Sequence, residues 1–120
     1  MPKSQTPPTY VRLLNLLSAI RDISPFNAMT AEEERLLGDL IIRWHSQKTI
    51  SVSDIMHTYE GPSASTIYRR LMALHKKGLI DLVVDKHDRR VSLVQPTALT
   101  ESYAQSISDG LKTLVAPASR

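Results

Sequence analysis

Seven basic residues, Arg69, Arg70, Lys76, Lys77, Lys86, Arg89 and Arg90, fall between positions 63 and 90, against only Asp81, Asp85 and Asp88. That segment carries a balance of +4, whereas the other eight basic and nine acidic residues give −1. The chain as a whole is mildly basic, at +3, so its excess positive charge lies in one place. Cations gathered on a near-neutral scaffold suit a polyanion, and a phosphate backbone is the one they fit. Hydroxyls stand just ahead of the first arginine, at Ser63, Ser65 and Thr66. Short hydroxyls at a helix N-terminus with an arginine one turn on suit hydrogen bonding to base edges.

These groups need a helix and a loop to present them. Ser63 follows Gly61-Pro62, a turn that leads into a capping hydroxyl. Ile67, Leu71 and Leu74 then recur at spacings of four and three and share one helical face. Ser65, Arg69, Met72, Ala73 and Lys76 share the other, and Gly78 after Lys76-Lys77 marks the helix stop. Upstream, Ser51 with Asp54 opens a short helix expected from about Val52 to Thr58, and Tyr59-Glu60-Gly61-Pro62 is the turn between the two. The pair reads as helix-turn-helix, whose second helix enters the DNA major groove. Downstream, Leu79–Val84 and Val91–Val94 are β-prone and flank the charged loop Asp85–Arg90, so a hairpin wing is expected, with Thr49-Ile50 as its third strand.

Further helices bracket this lobe. Tyr10, Leu13, Leu14, Leu17 and Ile20 form one stripe, ending near Ser24-Pro25. Thr30 and Glu33 make a capping box for a helix that buries Leu36, Leu37, Leu40, Ile41 and Trp44 and runs to about His45. Thr97 and Thr100 open a last helix with Leu99, Tyr103, Ile107, Leu111 and Leu114 as its stripe, closed by Pro117. The expected fold is mainly α with a small β-hairpin, a winged helix-turn-helix with added N- and C-terminal helices. Residues 1–8 are expected to be a disordered tail and 9–116 a single domain, with a DNA-binding lobe over 49–95 and dimerisation helices over 9–24 and 97–115. The stripes on those two helices are long for burial inside one small lobe, which argues for a homodimer.

Composition narrows the function classes. At 42% hydrophobic and 22% charged residues the chain suits one soluble domain. No apolar run could span a bilayer, MPKSQTPPT lacks a secretion signal's apolar core, and a cytoplasmic, membrane-free protein is expected. Zero cysteines remove disulfides and thiolate metal sites. His45, His57, His75 and His87 fall on different elements with no helical pair spacing, so no metal is expected. There is no phosphate-binding glycine loop and no recognisable nucleophile–base spacing, so neither an enzyme nor a cofactor is expected.

Over roughly residues 28–101 the chain resembles the MarR family of bacterial transcription regulators. Ile67–Ile80 is similar to that family's recognition helix and its closing leucine, basic pair, glycine and two apolar residues. Asp88-Arg89-Arg90, followed by Val91–Val94 and Thr97, is similar to its wing signature. The resemblance implies a bacterial or phage-encoded, nucleoid-associated protein. It also implies that Arg90 reaches into the minor groove, that Asp88 holds the wing in shape, and that Arg69 faces the major groove. Small aromatic effectors are a family habit, and Tyr10, Phe26, Trp44 and Tyr103 are the rings that could line a cleft for one, or simply pack the core. The sequence departs from the family at Arg70, which replaces an apolar residue, at Pro96, and in having one helix after the wing instead of a long pair.

The candidate base contacts are therefore Ser63, Ser65, Thr66, Tyr68 and Arg69, with Tyr68 equally able to cover the core. Arg70, Lys76, Lys77 and Lys86 are candidate phosphate contacts. Arg89 and Arg90 either enter the minor groove or form a solvated loop that discourages edge pairing. Double-stranded DNA is the expected partner of a homodimeric, sequence-specific regulator, which the family likeness implies to be a repressor. The competing readings are a winged-helix protein–protein interaction module and a replication or partition factor.

Overall fold

The computed structural model describes residues 7–46 and 48–115. Positions 1–6 of the expected tail and the helix stop at Pro117 lie outside them. In chain order the elements are α1 (Pro8–Arg21), a 3-10 turn (Phe26–Ala28), α2 (Ala31–His45), α3 (Val52–Met56), α4 (Ala64–Lys76), β1 (Ile80–Val84), β2 (Ser92–Pro96) and α5 (Ala98–Val115). Where one domain is expected over 9–116, the chain divides into two compact units, Met29–Glu101 and the flanking segments Met1–Ala28 with Ser102–Arg120.

The Met29–Glu101 unit is the winged helix. Three N-caps set its helix starts. Thr30 Oγ1 accepts from Glu33 N–H at 3.1 Å while Glu33 Oε1 accepts from Thr30 N–H at 3.4 Å, the reciprocal capping box. Ser51 Oγ accepts from Asp54 N–H at 3.0 Å, and Ser63 Oγ from Thr66 N–H at 3.2 Å. The three helices then bury one stripe each: Leu36, Leu37 and Leu40 from α2, Ile55 from α3, and Ile67, Leu71 and Leu74 from α4. Ile50, Leu79, Ile80 and Val94 complete the core. Gly78, at φ 76°, lets the chain leave α4 in the left-handed conformation and enter β1.

β1 and β2 pair antiparallel, with Leu82 opposite Val94 and Val84 opposite Ser92. The third strand expected at Thr49-Ile50 is reduced to one bridge, Ser51 to Leu93, beside a 2.8 Å bond from Val94 N–H to the Ile50 carbonyl. Ser51 is already the cap of α3, so the backbone turns helical before a ladder can extend. α3 itself is short, ending at Met56 rather than at Thr58.

Two polar anchors fasten the surroundings of α4. Lys77 Nζ donates to Glu33 Oε1 at 2.7 Å, with only 22% and 10% of the two side chains exposed, and ties the C-terminal end of α4 to the first turn of α2. Thr97 Oγ1 donates to the Gly78 carbonyl at 2.7 Å, and the buried Thr100 hydroxyl donates to the Leu79 carbonyl. Because Glu33 would lose its counter-charge in a mostly dry setting, Lys77→Met is expected to lower the unfolding free energy by about 1–3 kcal/mol. Urea unfolding at neutral pH measures it.

The second unit holds α1, the 3-10 turn and the rest of α5. Pro8 opens α1 at the position where its missing N–H is unneeded, one residue inside the segment expected to be a tail. Phe26 and Tyr103 stack at 4.4 Å between ring centroids. Gly110 permits close contact with α1: a Cβ there would stand 2.6 Å from Leu16 Cδ1. Among this unit's described apolar residues Ile20 and Phe26 are buried, whereas Tyr10, Val11, Leu14, Ile23, Leu111 and Val115 stay exposed. No helix among the described residues is long and apolar enough to cross a membrane.

Candidate nucleic-acid interface

The outward face of α4 opens with hydroxyls. Ser63 Oγ lies 3.1 Å from Ser65 Oγ and 2.8 Å from Thr66 Oγ1, and Arg69 Nη2 donates to Thr66 Oγ1 at 3.5 Å. Ser65, Tyr68 and Arg69 are exposed on this half of the helix. Tyr68 presents part of its ring to solvent, at 44% exposed. A helix N-terminus with short hydroxyls and one arginine can reach phosphate oxygens and base edges together.

The wing is an ordered loop. Asp85 N–H donates to the Val91 carbonyl at 2.9 Å, Val91 N–H to the Asp88 carbonyl at 3.0 Å, and His87 N–H to Asp85 Oδ1 at 3.0 Å. The Arg90 guanidinium grips the Asp88 carboxylate twice, Nε to Oδ1 at 3.1 Å and Nη2 to Oδ2 at 3.2 Å, and Arg90 N–H donates to Oδ1 at 3.1 Å. Even so, 91% of the Arg90 side chain is exposed. The pairing fixes its direction while leaving other guanidinium N–H groups for a ligand. Lys86 and Arg89 are exposed on the same loop.

The Arg90 side chain, followed by its backbone N–H, holds the Asp88 carboxyl below the ordinary carboxylate range. A carboxylate with a depressed folded pKa keeps its contribution above the unfolded value and loses it as pH falls through the folded one. The wing contact is therefore expected to persist at pH values where free aspartate is already half-protonated. Following the Asp88 side-chain carbon by NMR titration checks this, and a midpoint at the ordinary aspartate value would contradict it.

The structure separates the remaining basic candidates. Lys76 is exposed in the last turn of α4. Lys77, expected to contact phosphate, instead has its ammonium on Glu33. Arg70 is half-buried and lines a recess with Glu32, Arg35 and Ile67, on the α2 side of the helix. The four aromatic rings fall in both units. The Trp44 indole donates to the Val94 carbonyl at 2.9 Å in the winged-helix unit, Phe26 and Tyr103 cover each other in the other, and Tyr10 is 53% exposed. Among the described residues there is no group of three or more His, Asp or Glu placed to hold a metal.

Sequence reading missed one contributor. Tyr59, in the turn before α4, donates its hydroxyl to Asp39 Oδ2 on α2, which also receives Arg43 Nε at 3.2 Å. Burial, then this bond, pushes the phenol's ionisation well above its usual value, so it remains a donor. Only the turn's polar composition hinted at it, since the two residues are twenty positions apart.

This is the geometry of a winged helix-turn-helix: a helix presented by a turn, followed by an ordered basic hairpin. Neither a family model nor a curated protein matches the sequence. Solved structures do match the fold. MarR aligns over 95% of this chain and 77% of its own at 19% identity and a TM-score of 0.54. A point mutant of MepR from S. aureus aligns over 93% and 79% at 22% identity and a TM-score of 0.55. The PcaV transcriptional regulator from Streptomyces coelicolor, solved with its natural ligand, aligns over 99% and 86% at 20% identity and a TM-score of 0.51. The chain has a MarR-like winged-helix fold.

Proposed function

We propose that this chain is a sequence-specific regulator of transcription that binds double-stranded DNA as a homodimer and represses by occupying its operator. The observation that carries the reading is that one compact unit projects two basic, ordered features, the hydroxyl-and-arginine face of α4 and the braced Arg90 of the wing. The first suits the major groove and the second the adjacent minor groove. Lys76, Lys86 and Arg89 supply phosphate contacts, which set orientation without reading sequence. PcaV, a transcriptional regulator of the same fold, supports the assignment. In this reading the protein works in the cytoplasm on the nucleoid, and it is not an enzyme.

The exposed apolar residues of α1 and α5 support pairing. Few apolar groups are buried among this unit's described residues, and a second copy laid against Tyr10, Val11, Leu14 and Leu111 would bury more. Two-fold symmetry lets two recognition helices meet successive major grooves, about 34 Å apart. Leu14→Glu is expected to halve the assembly's mass in light scattering, and an unchanged mass would remove the pairing.

Fluorescence anisotropy on random duplex DNA at two salt concentrations tests DNA binding itself. A steep fall in affinity with rising salt is expected. Absence of binding at low salt would discard the DNA reading in favour of a protein-interaction module.

A further inference from the structure

Three of the chain's four glycines have an internal reason. Gly61 and Gly78 take positive φ angles of 97° and 76°, and Gly110 admits Leu16. Gly38 has none. It sits in the middle of α2 with ordinary helical backbone, and a Cβ built there meets nothing within 4 Å among the described residues. Glycine is among the least favourable residues for a helix interior, and alanine would fit without displacing anything. What glycine does offer there is a bare stretch of helix surface that another chain could approach closely.

Gly38 lines a recess of about 860 Å³ whose apolar surface is given by Leu36, Ile67, Pro62 and the neighbouring Ile42. Ile42 is 67% exposed at the edge of this recess. Around it the charges balance, with Glu32, Asp39 and Glu60 against Arg35, Arg43 and Arg70. A polyanion would not select such a surface. Along α2 the stripe reads Glu32, Arg35, Asp39, Arg43, alternating in sign at helical spacing. Reversed in direction, the same stripe has the opposite sign at each step. An antiparallel copy crossing beside Gly38 would set Glu32 against Arg43 and Arg35 against Asp39. Glu32 and Arg35 have no partner among the described residues, and both internal contacts of Asp39 fall on Oδ2, leaving Oδ1 open.

We infer that the α2 face is a second homotypic interface, in which two copies cross antiparallel at Gly38 and each inserts Ile42 into the other's recess. It is separate from the α1 and α5 pairing proposed above and does not depend on DNA binding. Its chemistry is isologous: each contact occurs twice about the axis. Combined with the terminal-helix pairing, it links dimers into larger assemblies.

Sedimentation equilibrium of the full chain from low to high micromolar concentration tests it, with Gly38→Leu as the principal variant. Leucine favours the helix and the site is open, so the melting temperature is expected to hold or rise while association through α2 weakens at least tenfold. Ile42→Glu should act alike. Glu32→Arg and Arg43→Glu should each weaken the contact and restore it when combined, a result that altered folding would not give. More than two copies in the wild type and two in Gly38→Leu would support both interfaces. Two in the wild type and one in Gly38→Leu would support the α2 contact and remove the terminal-helix pairing. A mass that neither Gly38→Leu nor Ile42→Glu changes overturns the inference and leaves the recess to another occupant.

Discussion

Arg90→Ala is expected to weaken duplex DNA binding by about ten- to a hundredfold, corresponding to roughly 1–3 kcal/mol for one specific arginine contact. Two effects combine. The variant removes a guanidinium that is already aimed, since its bonds to Asp88 have restricted its rotamers before DNA arrives. It also uncovers the Asp88 carboxylate, placing an unpaired negative charge where phosphates approach. The double variant Asp88→Ala with Arg90→Ala should therefore bind better than Arg90→Ala alone. Asp88→Ala by itself keeps the cation and loses its direction, and should fall between wild type and Arg90→Ala. Anisotropy titrations of the three variants at one salt concentration give the ranking. Equal affinity for wild type and Arg90→Ala would mean that the wing does not touch DNA.

Leu71→Ala carries the largest expected effect on the fold. Leu71 is wholly inaccessible to solvent, as are Leu40 of α2, Ile55 of α3 and Leu74 of α4 itself. Truncation removes three carbons from a dry, close-packed centre, at about 2–5 kcal/mol. Small domains have a total stability of roughly 5–15 kcal/mol. The variant should therefore melt at least about 10 °C lower, by the usual proportion for domains of this size. Calorimetry checks the value. A smaller drop would mean that the neighbouring leucines close the cavity.

Local order was the part that could be read in advance. Thr30 with Glu33, Ser51 with Asp54, and Ser63 announce their helices because a cap is satisfied within three residues of chain. The hairpin was visible from its β-branched flanks and polar loop. Contacts made across the fold were not visible. Lys77 looks like its neighbour Lys76 in a basic run, and only folding brings Glu33 to it from 44 positions away. Exposure within a stripe was also hard to read: Ile41 was expected in the core and is half-buried, while adjacent Ile42 faces out. The third strand failed because Ser51 had two possible uses, and the helix cap took precedence over the ladder. Phe26 illustrates a last limit, since a lone aromatic near a proline does not disclose that Tyr103 covers it.

The hydroxyls of Thr97 and Thr100 have a practical consequence for dissecting the molecule. Both cap carbonyls at the exit of α4, yet they belong to the segment that begins α5. A fragment trimmed at the end of β2 would look complete on a strand diagram and would leave the Gly78 and Leu79 carbonyls open. The smallest excisable winged-helix module therefore has its C-terminal border after Thr100, within a continuous helix instead of at a loop.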